Sequence, residues 1–222
     1  MSNPLVSCLM PTANRRQYVP LAVAMFLAQD YGPRELIVLD DGRDPVADVI
    51  PHDPRIRYRY VCGGHSLGEK RNNSCRLARG DILVHWDDDD WSAPWRLSYQ
   101  VGELQETAAD VCGLDRLRFY DEERDLAWIY QYPESRTPWL AGNTLCYKRQ
   151  LWEKHPFPDI TIGEDSVWIA EAVGARVLPL VRDDFFVARV HAGNTSPKET
   201  DSWEAADPSR MQSWLERAFS GC

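Results

Sequence analysis

Two short apolar runs, at residues 36–39 and 82–86, each break off into aspartates: Asp40-Asp41-Gly42 after the first, Asp87-Asp88-Asp89-Asp90 after the second. A brief, nearly continuous apolar run that stops at charge marks a strand buried on both faces, the kind found in parallel sheets. The rest of the first half alternates around these two. Residues 5–10 read as a strand ended by Pro11, and 18–29 as a buried helix with Pro20 in its first turn. Residues 56–61 read as an edge strand, and 66–79 as a polar helix closed by Gly80. This alternation predicts an α/β fold with a Rossmann-like, mostly parallel sheet flanked by helices. Ligands of such sheets sit beyond the carboxyl ends of strands, where both acidic clusters fall.

The second half is less regular. It predicts a helix over 94–106, strands over 126–132 and 143–147, and a helix over 164–173. Strands over 176–180 and 185–190 follow, then a polar tail in which Trp203 and Trp214 suggest a docked helix. The chain is 44% hydrophobic, enough for one sizeable core. No apolar run approaches the roughly 20 residues that span a bilayer. The start, Met1-Ser2-Asn3-Pro4, lacks the basic and apolar regions of a signal peptide, so a cytoplasmic protein is expected, free or peripheral to the membrane. Lys and Arg number 25 against 34 Asp and Glu, a net charge of −9 that disfavours nucleic acid as a partner. It does not disfavour one small anion held through a metal ion. Cys8, Cys62, Cys75, Cys112, Cys146 and Cys222 are scattered without a CxxC, which predicts free buried thiols.

Four adjacent carboxylates raise one another's pKa unless a cation neutralises them. The run is either a solvated acidic turn or, pinned between Trp86 and Trp91, a set of hard oxygen ligands suited to Mg²⁺ or Mn²⁺. Asp40-Asp41-Gly42 reads as an ordinary turn or as a carboxylate that accepts from a bound base or ribose. Gly163-Glu164-Asp165 reads as acid complementing a helix dipole or as a general base. His191, after a strand, reads as a hydrogen-bonded residue or a metal ligand.

Taken together, the stretches VSCLMPTANR (6–15), QDY (29–31), ELIVLDDG (35–42), GEKRN (68–72), ARGDILV (78–84) through Trp91, GED (163–165) and HAGNTS (191–196) resemble the family 2 glycosyltransferases, inverting enzymes on the GT-A fold. They cover roughly residues 5 to 196, most densely to about Trp95. The resemblance implies one domain over 1–222, with a nucleotide-binding half to about residue 95. An acceptor and catalytic half would follow to 196, then a tail helix over 197–222. It implies donor contacts from Pro11, Thr12, Asn14, Arg15 and Asp41, and from Lys70 and Arg71 near the base or diphosphate. Asp87 and Asp88 would face the ribose, Asp89 and His191 would bind Mn²⁺ or Mg²⁺, and Asp165 would be the base. Trp139, Gly142, Asn143 and Glu164 fall on the acceptor side. The donor implied is a UDP-sugar, with GDP or dTDP as alternatives, and the acceptor a glycan, lipid-linked or small-molecule hydroxyl.

Two rivals come from the same residues. Gly64-His65-Ser66-Leu67-Gly68 matches the G-x-S-x-G elbow of serine hydrolases, with Ser66 as nucleophile and Asp165 and His191 following in the right order. A carbohydrate-binding protein without catalysis could instead stack sugars on Trp86, Trp91, Trp95, Trp139 or Trp168.

Overall fold

A computed structural model of the chain describes residues 3–133, 139–172, 174–196 and 198–219. Met1, Ser2, Val173 and Cys222, which carried sequence expectations, lie outside the described residues. The first half runs β1 (Val6–Thr12), α1 (Val19–Leu27), β2 (Arg34–Asp40), β3 (Ile56–Tyr60), α2 (Leu67–Leu77) and β4 (Ile82–His85). Next come β5 (Trp91–Ser92), α3 (Arg96–Thr107), β6 (Val111–Gly113), β7 (Arg116–Asp121), β8 (Leu126–Gln131) and β9 (Cys146–Lys148). The chain ends with α4 (Arg149–Lys154), α5 (Glu164–Glu171), β10 (Val177–Pro179), β11 (Phe186–Arg189), β12 (Glu204–Ala206) and α6 (Pro208–Phe219).

One sheet has the order β10-β6-β9-β4-β1-β2-β3. The neighbours β3, β2, β1 and β4 pair in parallel, as do β6 and β10, while β9 runs antiparallel between β4 and β6. Every residue of β1 is buried, so its alternating side chains feed two cores. Cys8 and Met10 join Leu36, Val38 and Val84 under α1 and α3; Leu9 joins Ile37 and Leu83 under α2, α4 and α5. This is the mostly parallel α/β sheet that the strand–helix alternation predicts.

A second sheet, β12-β8-β7-β11-β5, has no counterpart in the sequence expectations for β5, β7 and β12. Its short strands alternate too weakly to stand out: the burial pattern of β8 is one buried residue in a mostly half-exposed strand. The four aspartates bridge the two sheets, leaving β4 of the first and entering β5 of the second. The expected strand over 143–147 begins as a 3₁₀ turn, Gly142–Thr144, because Ala141 N donates to Leu114 O and the Thr144 hydroxyl accepts from Leu114 N. The tail helix starts only at Pro208, and Trp203 precedes it, packing on Phe119 and Tyr130. Trp214 of α6 stacks flat on Trp91, with ring centroids 5.4 Å apart. Cys8, Cys75, Cys112 and Cys146 are free and buried as expected, but Cys62 is exposed, since it lies in the loop after edge strand β3. No helix among the described residues is long and apolar enough to cross a membrane.

Candidate active site

Both acidic clusters emerge at the carboxyl end of the parallel sheet, and three adjoining cavities open there. One cavity, of about 420 Å³, is lined by Asp87, Asp89 and Asp90 together with Glu164 and Asp165. A smaller cavity of about 260 Å³ shares Arg15 and Asp87 with it and is walled by Pro11, Thr12 and Asp88. A third, of about 650 Å³, shares Ala13 and Lys70 with the second and reaches Asn14, Asp41, Tyr60 and His65. The three make a trough from Asp41 to Asp165.

The four aspartates do not point one way. The Asp88 carboxylate accepts from the Thr12 hydroxyl at 2.6 Å and from Arg15 Nη1 at 2.9 Å. Oxygens of Asp87, Asp89 and Asp90 instead converge within 4.8 Å of one another. Asp89 accepts from Arg15 and lies 3.0 Å from His191 Nε2. The other His191 nitrogen, Nδ1, accepts from Gly193 N–H, so Nε2 bears the proton that faces Asp89. Asp90 is buried and accepts from Asn143 Nδ2 at 2.8 Å and Arg189 N at 2.9 Å. Arg15 reaches on to Gly193 O, tying the exit of β1 to the loop after β11.

Burial dominates the electrostatics. It raises the Asp87 carboxyl, which Arg71 only partly offsets, and raises Asp88 to about 6, with Asp89 adding to the shift. Asp90 is pushed well above the ordinary carboxylate range by burial, with Asp89 and Asp87 contributing. Asp89 moves the other way: burial is outweighed by the His191 hydrogen bond and the Arg15 charge. Asp87 Oδ1 is buried and accepts no hydrogen bond among the described residues, and Arg71 Nη1, 3.7 Å away, is likewise unpartnered. Hard carboxylate oxygens, one of them without a partner, fit a divalent cation such as Mn²⁺ or Mg²⁺.

Arg71 sits at the Asp165 end of the trough. Its Nε donates to Glu164 at 2.9 Å, and both side chains are buried. Burial raises the Glu164 carboxyl, and the Arg71 charge works against it. Asp165, at the start of α5, accepts from Ser166 N at 2.7 Å, and the Ser166 hydroxyl accepts from Trp139 Nε1 at 2.8 Å. A Cβ on Gly142 would collide with the Asp165 carboxylate, so only glycine lets the turn approach so closely. Trp139 stacks on Tyr132, and both line the cavity.

At the far end, Lys70 Nζ donates to Asp41 at 2.8 Å. Asn14, at φ 57°, turns its carboxamide to accept from Arg43 N and Asp44 N, which stitches the exit of β1 to the loop after β2. Tyr60 and His65, which the sequence did not single out as donor-side residues, line this end as well; an aromatic at the end of the expected edge strand was the available signal. Ser66 has a different task from the hydrolase elbow. Its hydroxyl accepts from Glu69 N as the cap of α2 and donates to Asp159, while His65 pairs with Glu69. Trp86, Trp91 and Trp168 are buried in the core, so they offer no sugar platform.

A parallel sheet with an acidic run at the end of β4 and a second carboxylate pair across one cavity defines a chain of the GT-A type. Residues 7–162 match the family model described as glycosyl transferase family 2, and the chain belongs to that family. Asp165 lies just beyond the matched segment, and His191 well beyond it. Over 110 residues it is 34% identical to the putative colanic acid biosynthesis glycosyl transferase WcaA of Escherichia coli (strain K12), covering 47% of this chain and 39% of that protein. Over 213 residues it is 25% identical to the putative glycosyltransferase EpsH of Bacillus subtilis (strain 168), covering 86% and 57%. The matches thus span less than two thirds of either relative's length. Among solved structures, S. aureus TarS 1-349 in complex with UDP-GlcNAc superposes with a TM-score of 0.71 at 17% identity, over 97% of this chain and 73% of that one. The mannosyltransferase PcManGT from Pyrobaculum calidifontis, in complex with GDP-Man and Mn²⁺, gives 0.68 at 19% identity, over 100% and 64%. At these identities the likeness speaks to the fold.

Proposed function

We propose that this chain is an inverting, metal-dependent glycosyltransferase that moves a sugar from a nucleoside-diphosphate sugar to an acceptor hydroxyl. The observation that carries the reading is the single cavity shared by the Asp87, Asp89, Asp90 cluster and Asp165. The trough from there to Asp41 suits an elongated donor, with its base near Asp41, Lys70 and Tyr60. Pro11, Thr12 and Arg15 flank its middle, and the reacting sugar lies over Arg71.

In this reading Asp165 accepts the proton of the acceptor hydroxyl as that oxygen attacks the anomeric carbon. The nucleoside diphosphate departs from the opposite face with the electrons of the broken bond, so the configuration inverts. Asp87, Asp89 and Asp90, with His191 beside them, would hold Mn²⁺ or Mg²⁺, which stabilises charge on the leaving diphosphate. Asp88 and Thr12 fix Arg15, and Arg71 fixes Glu164 next to the base. Trp139 and Tyr132 form an aromatic wall on the acceptor side, suited to a sugar face. A UDP-sugar is the donor favoured, with GDP and dTDP as the alternatives, and the acceptor is a glycan, lipid-linked or small-molecule hydroxyl.

Thermal melting with UDP, GDP, dTDP and CDP, each with and without Mn²⁺, tests the reading. A nucleotide at 100 times its Kd stabilises by about 2.7 kcal/mol, a readily measured shift. A shift with one nucleotide that requires the metal is the expected result; no shift with any of the four overturns the proposal.

A further inference from the structure

Three consecutive carbonyls beneath the cavity are each held by a different buried side chain. His85 Nδ1 lies 2.6 Å from Gly142 O, Arg96 Nη2 lies 3.1 Å from Asn143 O, and Gln100 Nε2 lies 2.8 Å from Thr144 O. All three side chains are fully buried, and none of them lines the cavity. A carbonyl oxygen only accepts, so His85 Nδ1 carries a proton and donates it. Tyr147 OH, 3.2 Å from Nε2, holds the far side of the ring.

The opposite side of the same turn faces the chemistry. The α-carbon of Gly142 packs on the Asp165 carboxylate, and the Asn143 side chain donates to Asp90. One 3₁₀ turn therefore touches the acidic run and Asp165 together. Gly142 has no side chain by which packing could hold it, so its carbonyl is the handle. β4 serves both ends of this arrangement: its exit delivers Asp87, Asp89 and Asp90 into the cavity, and its last residue, His85, into the clamp.

We infer that His85 is a positioning residue which, with Arg96 and Gln100, fixes the turn and so the placement of Asp165 relative to Asp90. The inference rests on Asp165 being the base. Misplacing a reacting group by 1 Å can cost about 10²-fold in rate, so a residue that never meets substrate can govern kcat.

The test compares three substitutions. H85N keeps an N–H where Nδ1 stood, H85Q moves it toward the Tyr147 side, and H85L removes it. The readout is release of UDP or GDP from UDP-glucose, UDP-GlcNAc and GDP-mannose with Mn²⁺ and methyl glycosides as acceptors, alongside the Mn²⁺-dependent nucleotide melting shift. H85L and H85Q are expected to lower kcat by at least about tenfold, with the donor KM and the nucleotide shift unchanged, while H85N stays near wild type. Wild-type kcat in H85L, or equal damage in H85N and H85L, overturns the clamp. A joint loss of kcat and donor affinity assigns His85 to general packing and overturns it as well. Should H85L fail to fold, H85Q against H85N decides. D165N, run in parallel, separates the two readings. Turnover surviving in D165N removes the base and the clamp with it; turnover lost in D165N but intact in H85L and H85Q removes the clamp alone.

Discussion

Asp165 and Asp89 line one cavity, and each carries its own prediction. Asp165→Asn keeps the size and the hydrogen bond from Ser166 N but cannot take a proton. Transfer should fall by about 10²–10⁴-fold while the nucleotide melting shift persists. Asp89→Ala removes an oxygen from the converging trio and should abolish the metal-dependent part of that shift, read as equal melting with and without Mn²⁺. Both residues were legible in the sequence because an Asp run and a Glu-Asp pair are conspicuous at strand and helix ends. Arg71 was expected near the base or diphosphate, but its contact with Glu164 joins residues 93 apart, and nothing local encodes that. Asn14 and Asp88 show the same limit. Their side chains bind Arg43 N, Asp44 N, Thr12 and Arg15, partners far off in sequence that no local pattern announces.

At the scale of elements, the sheet is held at the end remote from the site by Glu35. This buried carboxylate of β2 accepts from the Ser7 hydroxyl of β1 at 2.7 Å and from Arg79 N and Nε, between α2 and β4. Burial alone would raise its pKa; the Ser7 and Arg79 bonds outweigh it and hold the pKa low. A depressed folded pKa gives stability that is present above the ordinary carboxylate range and lost as pH falls through the folded value. Glu35→Gln should therefore cost about 2 kcal/mol near neutral pH, with the gap to wild type closing in acid; urea melts across pH check it. Gly68 belongs at this scale as well. A Cβ there would strike Pro158 O, where α2 meets the segment leading to α5. Gly68→Ala should loosen that junction, lowering both the melting temperature and turnover. The inner strands of the first half were readable because double-sided burial leaves brief, nearly continuous apolar runs. β7, β12 and α4 were not, since their own patterns are weak and they are chosen by their partners.

Across the whole molecule, the parts of the site come from both ends of the chain. Arg15 meets Gly193, Asp89 meets His191, and Trp91, next after the acidic run, is covered by Trp214 of α6. Trp214→Ala should destabilise by about 2 kcal/mol in urea, leaving the nucleotide preference unchanged, because α6 braces the site from outside the cavity. The mostly parallel sheet followed from the strand–helix alternation; the second sheet and the seating of α6 depend on contacts far apart in sequence. Those long spans also set an order in time. On a ribosome, Asp87–Asp90 emerge roughly a hundred residues before His191, and longer still before Trp214. Until then the nascent chain carries a bare acidic knot beside an uncovered tryptophan, a state that chaperones bind and proteases cut. The stacking of Trp214 on Trp91 thus forms only after roughly a hundred further residues have left the ribosome, so the cover over the acidic run's flank is among the last contacts made.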